Sequence, residues 1–269
     1  MTIADWLHTA STKLKQAGID SYRLDSELIL EFVYKKNKTY LHAHSTDKIA
    51  KNVVNKANKL LNLRLKRVPI AYIFGYKEFY GRNFIVSKKV LIPRPESEAI
   101  VNFVKKISKD NIKTILDVGC GSGCVGLTIK LECPGFDVSV SDISNSALKI
   151  AKLNAKNLDA SVNFIKSDLL NDTPEDIDVI VANLPYVDKS WPISPDTKYE
   201  PTVALYADDE GLEIIKRLIQ QSKSKYLILE SDPRQQNAII EFSKKYNYKL
   251  LDKDNYVVCL KADRHIWAN

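Results

Sequence analysis

The residues of this chain best suited to chemistry are Asn183, Leu184, Pro185 and Tyr186, which follow the mostly apolar run 178–182. A planar amide nitrogen is a poor nucleophile, because its lone pair is delocalised into the carbonyl. To attack, it must be held in line with its electrophile and made more tetrahedral, and its two N–H bonds need two acceptors. The Asn183 side-chain carbonyl can supply one. The backbone carbonyl of Leu184 can supply the other, and Pro185 holds that carbonyl by fixing its own φ. Tyr186 can lie against the amide plane and exclude water. Positioning of this kind lowers a barrier substantially without any covalent chemistry from the protein. A sulfonium methyl is a fitting electrophile, since its positive charge disappears on transfer and a dry, neutral site suits it without a metal or strong base. The same clamp suits the exocyclic amine of adenine. A turn that merely ends a strand is the plainer reading.

A second group of residues points to a nucleoside. The run 114–118 leads into Gly119-Cys120-Gly121-Ser122-Gly123, followed by a helical stretch. Glycines there allow a tight turn and close approach of a ligand to the backbone. Gly121, Gly123 and Gly126 also fit a dinucleotide fingerprint, so the loop alone leaves the ligand open. The next strand ends at Asp142, whose carboxylate can accept from both hydroxyls of a ribose. After a further strand come Asp168 and Leu169. Asp168 is placed to take an adenine amine or to cap a helix, and Leu169 to cover the ring.

These residues need a frame. From Pro93 onward strands and helices alternate, with strands expected over 114–118, 137–141, 162–165, 178–182 and 226–230. Helices are expected over 124–132, 145–157, 211–222 and 234–246. Alternation of this kind gives a mostly parallel sheet covered on both faces, with the carboxyl ends of its strands lining one crevice. Residues 248–251 and 256–261 add an antiparallel hairpin at the sheet edge. Ahead of this α/β region, residues 1–69 show helical periodicity. Ile3, Trp6, Leu7, Ala10 and Leu14 form one stripe, and Leu24, Leu28, Ile29, Phe32 and Val33 a second. A third helix is expected over 46–67, with Lys48, Lys51, Lys56, Lys59 and Lys66 on its outer face and Pro69 at its end. Residues 70–92, aromatic and β-branched with Gly75 and Gly81, carry a hairpin signal and link the helical module to the domain spanning 93–269.

Composition narrows the class. Apolar residues make up 45% and charged residues 27% of 269, as in ordinary globular chains. No apolar run approaches the roughly 18 residues of a membrane span, and the N-terminal residues lack the layout of a signal peptide. The cytoplasm is the expected compartment, and a monomer the expected state. The four cysteines form no C-x-x-C pair and no histidine stands at zinc-finger spacing, so no metal is expected. Residues 1–100 hold 18 Lys and Arg against 9 Asp and Glu, whereas the remainder of the chain is near neutral. A basic helical module suits an acidic protein face or RNA, or simply keeps the chain soluble.

The motifs together resemble the PrmC/HemK family, the protein-(glutamine-N5) methyltransferases that modify the Gly-Gly-Gln loop of class 1 peptide chain release factors. The resemblance runs through Leu24-Asp-Ser-Glu-Leu-Ile-Leu30, Arg67-Val-Pro-Ile-Ala-Tyr-Ile-Phe-Gly75, Glu78-Phe79-Tyr-Gly81 and Leu91-Ile-Pro-Arg-Pro-Glu-Ser-Glu98. It continues through Asp117-Val-Gly-Cys-Gly-Ser-Gly123, Asn183-Leu-Pro-Tyr186, Tyr199-Glu-Pro201 and Asp209-Glu-Gly-Leu212. It implies a class I, Rossmann-like methyltransferase fold with S-adenosylmethionine as donor. Gly119, Cys120, Gly121, Ser122, Gly123, Asp142 and Asn183 would hold that donor, with Leu169 near the adenine. Asn183, Leu184, Pro185 and Tyr186 would form the glutamine pocket, Asn183, Pro185 and Tyr186 being catalytic. The helical module would grip the release factor, with nucleic acid not required. Arg94 and Glu96 would lie on a loop closing over the site, or form a structural ion pair.

The chain departs from the family pattern in places. Leu184 stands where the family has proline, and Ser97 where it has threonine. The E-I-G-x-x-Q segment is Glu230-Ser-Asp-Pro-Arg-Gln235, without its glycine, and the closing residues 262–269 only partly resemble the family's D-x-x-x-x-R-V ending. A nucleic-acid adenine methyltransferase, a glutamine methyltransferase acting on another protein, and a non-catalytic NAD binder are the alternatives.

Overall fold

The computed structural model describes residues 1–263; the stretch 264–269, which holds most of the partly matched ending, lies outside the described residues. The described chain divides into two units. One comprises Met1–Gly75 with Ser194–Tyr199, and the other the remaining described residues.

The first unit is helical: α1 (Ile3–Gln16), α2 (Tyr22–Tyr34), α3 (Lys38–Ala43), α4 (Lys51–Leu65) and α5 (Ile70–Phe74). Thr2 and Asp5 cap α1 reciprocally, each side chain accepting from the other's backbone N–H. Ile3, Trp6, Ala10, Leu14, Ile29, Leu30, Ala57 and Leu61 form one buried cluster, which holds the first stripe with Leu7 partly buried beside it. Of the second stripe only Ile29 is buried, and Leu24 is exposed. Lys48, Lys51, Lys56, Lys59 and Lys66 are exposed.

Two expectations fail here. The third expected helix starts at Lys51 and not at residue 46, and the short α3 precedes it, nucleated where the Asn37 side chain accepts from the Tyr40 N–H. Residues 70–74 are helical and not a strand. Pro69 pre-sets the backbone ahead of α5, and Gly75, at φ 82°, ends it in the left-handed conformation.

A buried ionic cluster holds this unit together. Arg64, 4% exposed, donates from Nε to Asp25 Oδ2 at 2.6 Å and from Nη1 to Asp196 Oδ2 at 2.7 Å. Asp196 belongs to Pro195–Tyr199, a 3-10 turn in the segment that packs with the helices. Asp25 also accepts from the Ser21 hydroxyl at 2.8 Å.

The second unit opens with the hairpin β1 (Tyr76–Phe79) and β2 (Arg82–Ile85), followed by α6 (Glu98–Ile107). Then come β3 (Thr114–Val118), α7 (Cys124–Glu132), β4 (Asp137–Asp142), α8 (Asn145–Leu158), β5 (Asn163–Lys166) and β6 (Val179–Ala182). The chain continues with α9 (Glu213–Gln221), β7 (Tyr226–Glu230), α10 (Gln236–Lys244), β8 (Tyr248–Lys253) and β9 (Val257–Ala262). Seven strands form one sheet in the order β5-β4-β3-β6-β7-β9-β8. The first five are parallel, and the closing hairpin enters antiparallel through β9 against β7.

Alternate residues serve opposite faces, as a period of two requires. Ile115, Val179, Val181 and Ile228 share a core with Ile100 and Val104 of α6. Leu116, Ile180, Leu227 and Leu229 share another with Leu218 of α9 and Ile239 of α10. Chain order reverses at β3 and β6, so the crevice at their carboxyl ends is the expected ligand site.

Replacing Arg64 with methionine leaves two carboxylates facing a buried gap. The helical unit should lose about 3–5 kcal/mol of stability, read as a lower urea midpoint. A loss below about 0.5 kcal/mol would mean that the cluster is not what holds the unit.

Candidate active site

A cavity of about 600 Å³ opens at the carboxyl ends of β3, β4 and β6. It is lined by Gly119, Cys120, Gly121 and Ser122 of the glycine loop, with Asp142, Leu169, Asn183, Leu184 and Pro185, so the structure brings these expected site residues together. Gly123, expected with them, is not a lining residue: it packs against Leu127 and Ala151, where a Cβ would stand 3.0 and 3.2 Å away. Its size falls in the range of small-molecule sites. Tyr186 is not among the lining residues.

The glycine loop is built by left-handed turns at Gly119, Gly121 and Gly123. A Cβ on Gly119 would stand 2.8 Å from Leu184 Cδ2, so this glycine makes room for the leucine that replaces proline. Leu184 is buried there, on the apolar side of the sheet. Asp142, at the end of β4, holds the loop: Oδ2 accepts from the Gly121 N–H at 2.9 Å and Oδ1 from the Ser144 N–H at 2.8 Å. Each oxygen keeps acceptor capacity for a ribose hydroxyl. Burial pushes the Asp142 carboxyl up, opposed by those two N–H bonds. Asn154 of α8 supports the loop from behind, donating to Ser122 O at 2.8 Å and exchanging hydrogen bonds with the Ile85 backbone.

The Asn183 side chain begins a run of hydrogen bonds. Its Nδ2 donates to Ser97 Oγ at 2.9 Å, at the start of α6. Ser97 donates to Glu230 Oε2 at 2.5 Å, and the Tyr186 hydroxyl donates to Glu230 Oε1 at 3.1 Å. Ser97 and Glu230 are each 1% exposed. With one Nδ2 N–H given to Ser97, the Asn183 carbonyl oxygen and the second N–H remain for the cavity that this residue lines. The backbone of Tyr186 is fixed separately. Gln235 Nε2 donates to Tyr186 O and to Glu210 O, each at 2.8 Å, and a Cβ on Gly211 would stand 2.0 Å from Tyr186 O.

The altered segment 230–235 needs no glycine here. Asp232 is not among the residues with positive φ, and its N–H donates to Gln235 Oε1 at 3.1 Å.

Sequence reasoning assigned no role to Ser97, Glu230, Gln235 or Gly211, although all four lie in segments matched to the family. Arg217 gave no signal at all; it lines the cavity and pairs with Asp168 at 2.9 Å, an alternative to both roles considered for that aspartate. Arg94 also lines the cavity and pairs with Glu200 at 2.6 Å, while Glu96 is exposed. Leu169 is buried against the cavity in a left-handed conformation, φ 51°.

Asp117 lies in the wall of the same cavity and accepts from the Gly126 N–H at 2.8 Å. Burial pushes its carboxyl up to about 7, with the Gly126 N–H opposing and the Asp142 charge adding to the rise. A carboxyl raised in the folded state contributes stability below its unfolded value near 4, and loses that contribution as pH rises through about 7. Asp117→Asn should therefore raise the melting temperature relative to wild type more at about pH 8 than at about pH 5. An equal shift at both, measured by calorimetry, would place Asp117 in a wetter site than its burial indicates.

Comparison with known proteins identifies the family. The PrmC N-terminal domain matches residues 5–75 and the methyltransferase small domain residues 98–193. The chain is 37% identical over 227 residues to a release factor glutamine methyltransferase of Koribacter versatilis, covering 82% of this chain and 81% of that one. It is 40% identical over 209 residues to another from Coxiella burnetii, covering 77% and 75%. Among solved structures, the hMettl16 catalytic domain in complex with MAT2A 3'UTR hairpin 1 matches with a TM-score of 0.55 at 13% identity, covering 88% of this chain and 92% of that one. At that identity the likeness shows the fold alone. On sequence, the chain belongs to the release factor glutamine methyltransferase family.

Proposed function

We propose that this protein transfers a methyl group from S-adenosylmethionine to the side-chain amide nitrogen of the glutamine in the Gly-Gly-Gln loop of a class 1 release factor. The observation that carries the reading is the fixed Asn183 side chain, whose carbonyl oxygen is left to a cavity shared with the glycine loop and Asp142. Two of the chain's relatives are named release factor glutamine methyltransferases.

The lining fits the donor. Gly119 and Gly121 let a ligand approach the backbone, and Asp142 offers acceptors to ribose hydroxyls. Leu169 gives an apolar surface for the adenine, and Cys120 and Ser122 complete the cradle. Bound there, S-adenosylmethionine supplies an electrophilic methyl on a positively charged sulfur.

The protein's own residues prepare the nucleophile. Asn183 Oδ1 accepts one N–H of the glutamine amide, and the Leu184 carbonyl accepts the other. Two acceptors on one nitrogen orient its lone pair along the line of attack. Pro185 keeps the Leu184 carbonyl in place, and Tyr186 shields the amide from water.

In this reading residues 1–69 form the recognition module, joined through 70–92 to the catalytic domain 93–269, and the lysine face of α4 meets acidic patches on the release factor. The protein acts as a monomer in the cytoplasm and needs no nucleic acid. No helix among the described residues is long and apolar enough to cross a membrane.

Incubating a purified release factor with this protein and S-adenosylmethionine should add one CH₂ mass to the Gly-Gly-Gln peptide. Asn183→Ala should abolish the addition while leaving the fold intact, and Asp142→Ala should weaken donor binding more than release-factor binding. Methylation of RNA or DNA, with none of protein, would overturn the substrate assignment. Turnover near wild type in Asn183→Ala would overturn the clamp.

A further inference from the structure

The hydrogen bonds around Asn183 have a direction, and one residue sets it. Glu230 closes β7, where the sheet carries it to the floor between α6 and the strand of Asn183. As an anion it can only accept. It accepts the single hydroxyl proton of Ser97 on Oε2 and that of Tyr186 on Oε1. Ser97 has then spent its proton and can only accept from Asn183, which must present Nδ2 to it. A neutral Glu230 breaks this ordering. A proton on Oε2 turns Ser97 round, so that it seeks the Asn183 carbonyl. A proton on Oε1 turns the Tyr186 hydroxyl round. Only the carboxylate satisfies both donors, and the cost of unmatched groups is high in so buried a place.

We propose that Glu230 is a positioning residue whose carboxylate, acting through Ser97, fixes the Asn183 amide with its carbonyl toward the substrate, so that the working enzyme needs Glu230 ionised. The inference rests on the amide-clamp reading of the reaction. It extends that reading to a group that need not touch donor or substrate.

The charge state of Glu230 is poised. Burial pushes its carboxyl up to about 7, opposed by the hydrogen bonds from Ser97 and Tyr186; among its neighbours Glu96 adds to the rise and Arg94 opposes it. Cys124 also faces it, its thiol pushed up by burial to about 12 and so uncharged. Tyr186 is raised by burial and by the Glu230 charge, and keeps its proton. Glu230 is the member of this set that changes charge near neutrality.

The test uses the full-length protein in two readouts. In the first, with no substrate present, the Asn183 side-chain NH₂ resonances are followed with pH. In wild type they should move with a midpoint near the raised Glu230 value of about 7. In Glu230→Gln they should not titrate. In the second, kcat for the release factor should fall on the acid side in wild type, with the same midpoint. Glu230→Gln should lose about tenfold or more in kcat at about pH 8, lose the acid limb, and keep donor affinity within a factor of about two.

Ser97→Ala should reproduce the loss, and Ser97→Thr, which keeps the hydroxyl, should restore most of it. Should Glu230→Gln fail to fold, the Ser97 pair decides: equal kcat in the alanine and threonine variants overturns the proposal. So does a Glu230→Gln enzyme with wild-type kcat and pH profile, or a wild-type Asn183 amide that does not respond to pH. A wild-type protein that titrates as described yet methylates no release factor would instead indict the substrate assignment.

Discussion

A buried polar group must find a partner, and in this protein that requirement fixes the site. Asn183 stands at the end of a wholly buried strand, where its amide would otherwise be free to flip. The chain Asn183–Ser97–Glu230 removes that freedom, because the Ser97 proton is spent on Glu230 and Ser97 can then only accept from Asn183. Its three members come from the end of β6, the start of α6 and the end of β7. The site therefore exists only when the sheet has formed and α6 has docked. The same logic fixes the residue three positions on: Tyr186 is held by its hydroxyl on Glu230 and by its carbonyl on Gln235.

The parallel sheet makes this meeting possible. Strands buried on both faces bring β3, β4, β6 and β7 side by side with their carboxyl ends together. The glycine loop, Asp142, Asn183 and Glu230 all sit at those ends, although they are far apart in sequence. Close packing then sets residue size. Gly126 lets α7 approach β4, since a Cβ there would stand 2.5 Å from Val140 Cγ1. Gly119 accommodates Leu184 in the same way. The departure from proline at 184 is thus absorbed by an apolar contact with the glycine loop, while Pro185, which follows the Leu184 carbonyl, is unchanged.

Much of this was legible in the sequence. The alternation of apolar runs with helical stretches gave the parallel sheet, and short local motifs marked the glycine loop, Asp142 and Asn183. Those signals are local: a strand, a turn and the residue after it. What the sequence concealed is non-local. Ser97 and Glu230 are 133 positions apart and meet only through the sheet. Arg217 is one cation among many until α9 brings it to Asp168. In the helical unit, Asp25, Arg64 and Asp196 look like ordinary surface charges, and only packing shows them to be a cluster. The error over 70–74 has a local cause: aromatic residues suit a strand, but Pro69 and Gly75 bracket a single helical turn.

The central claim is that Asn183 grips the substrate amide by its carbonyl oxygen. The most direct measurement is a crystal structure with S-adenosylhomocysteine and a Gly-Gly-Gln peptide. The glutamine nitrogen should lie about 3 Å from Asn183 Oδ1 and from the Leu184 carbonyl, with Nδ2 still on Ser97. A glutamine held by other groups, or an Asn183 turned to offer Nδ2 to the cavity, would contradict the account.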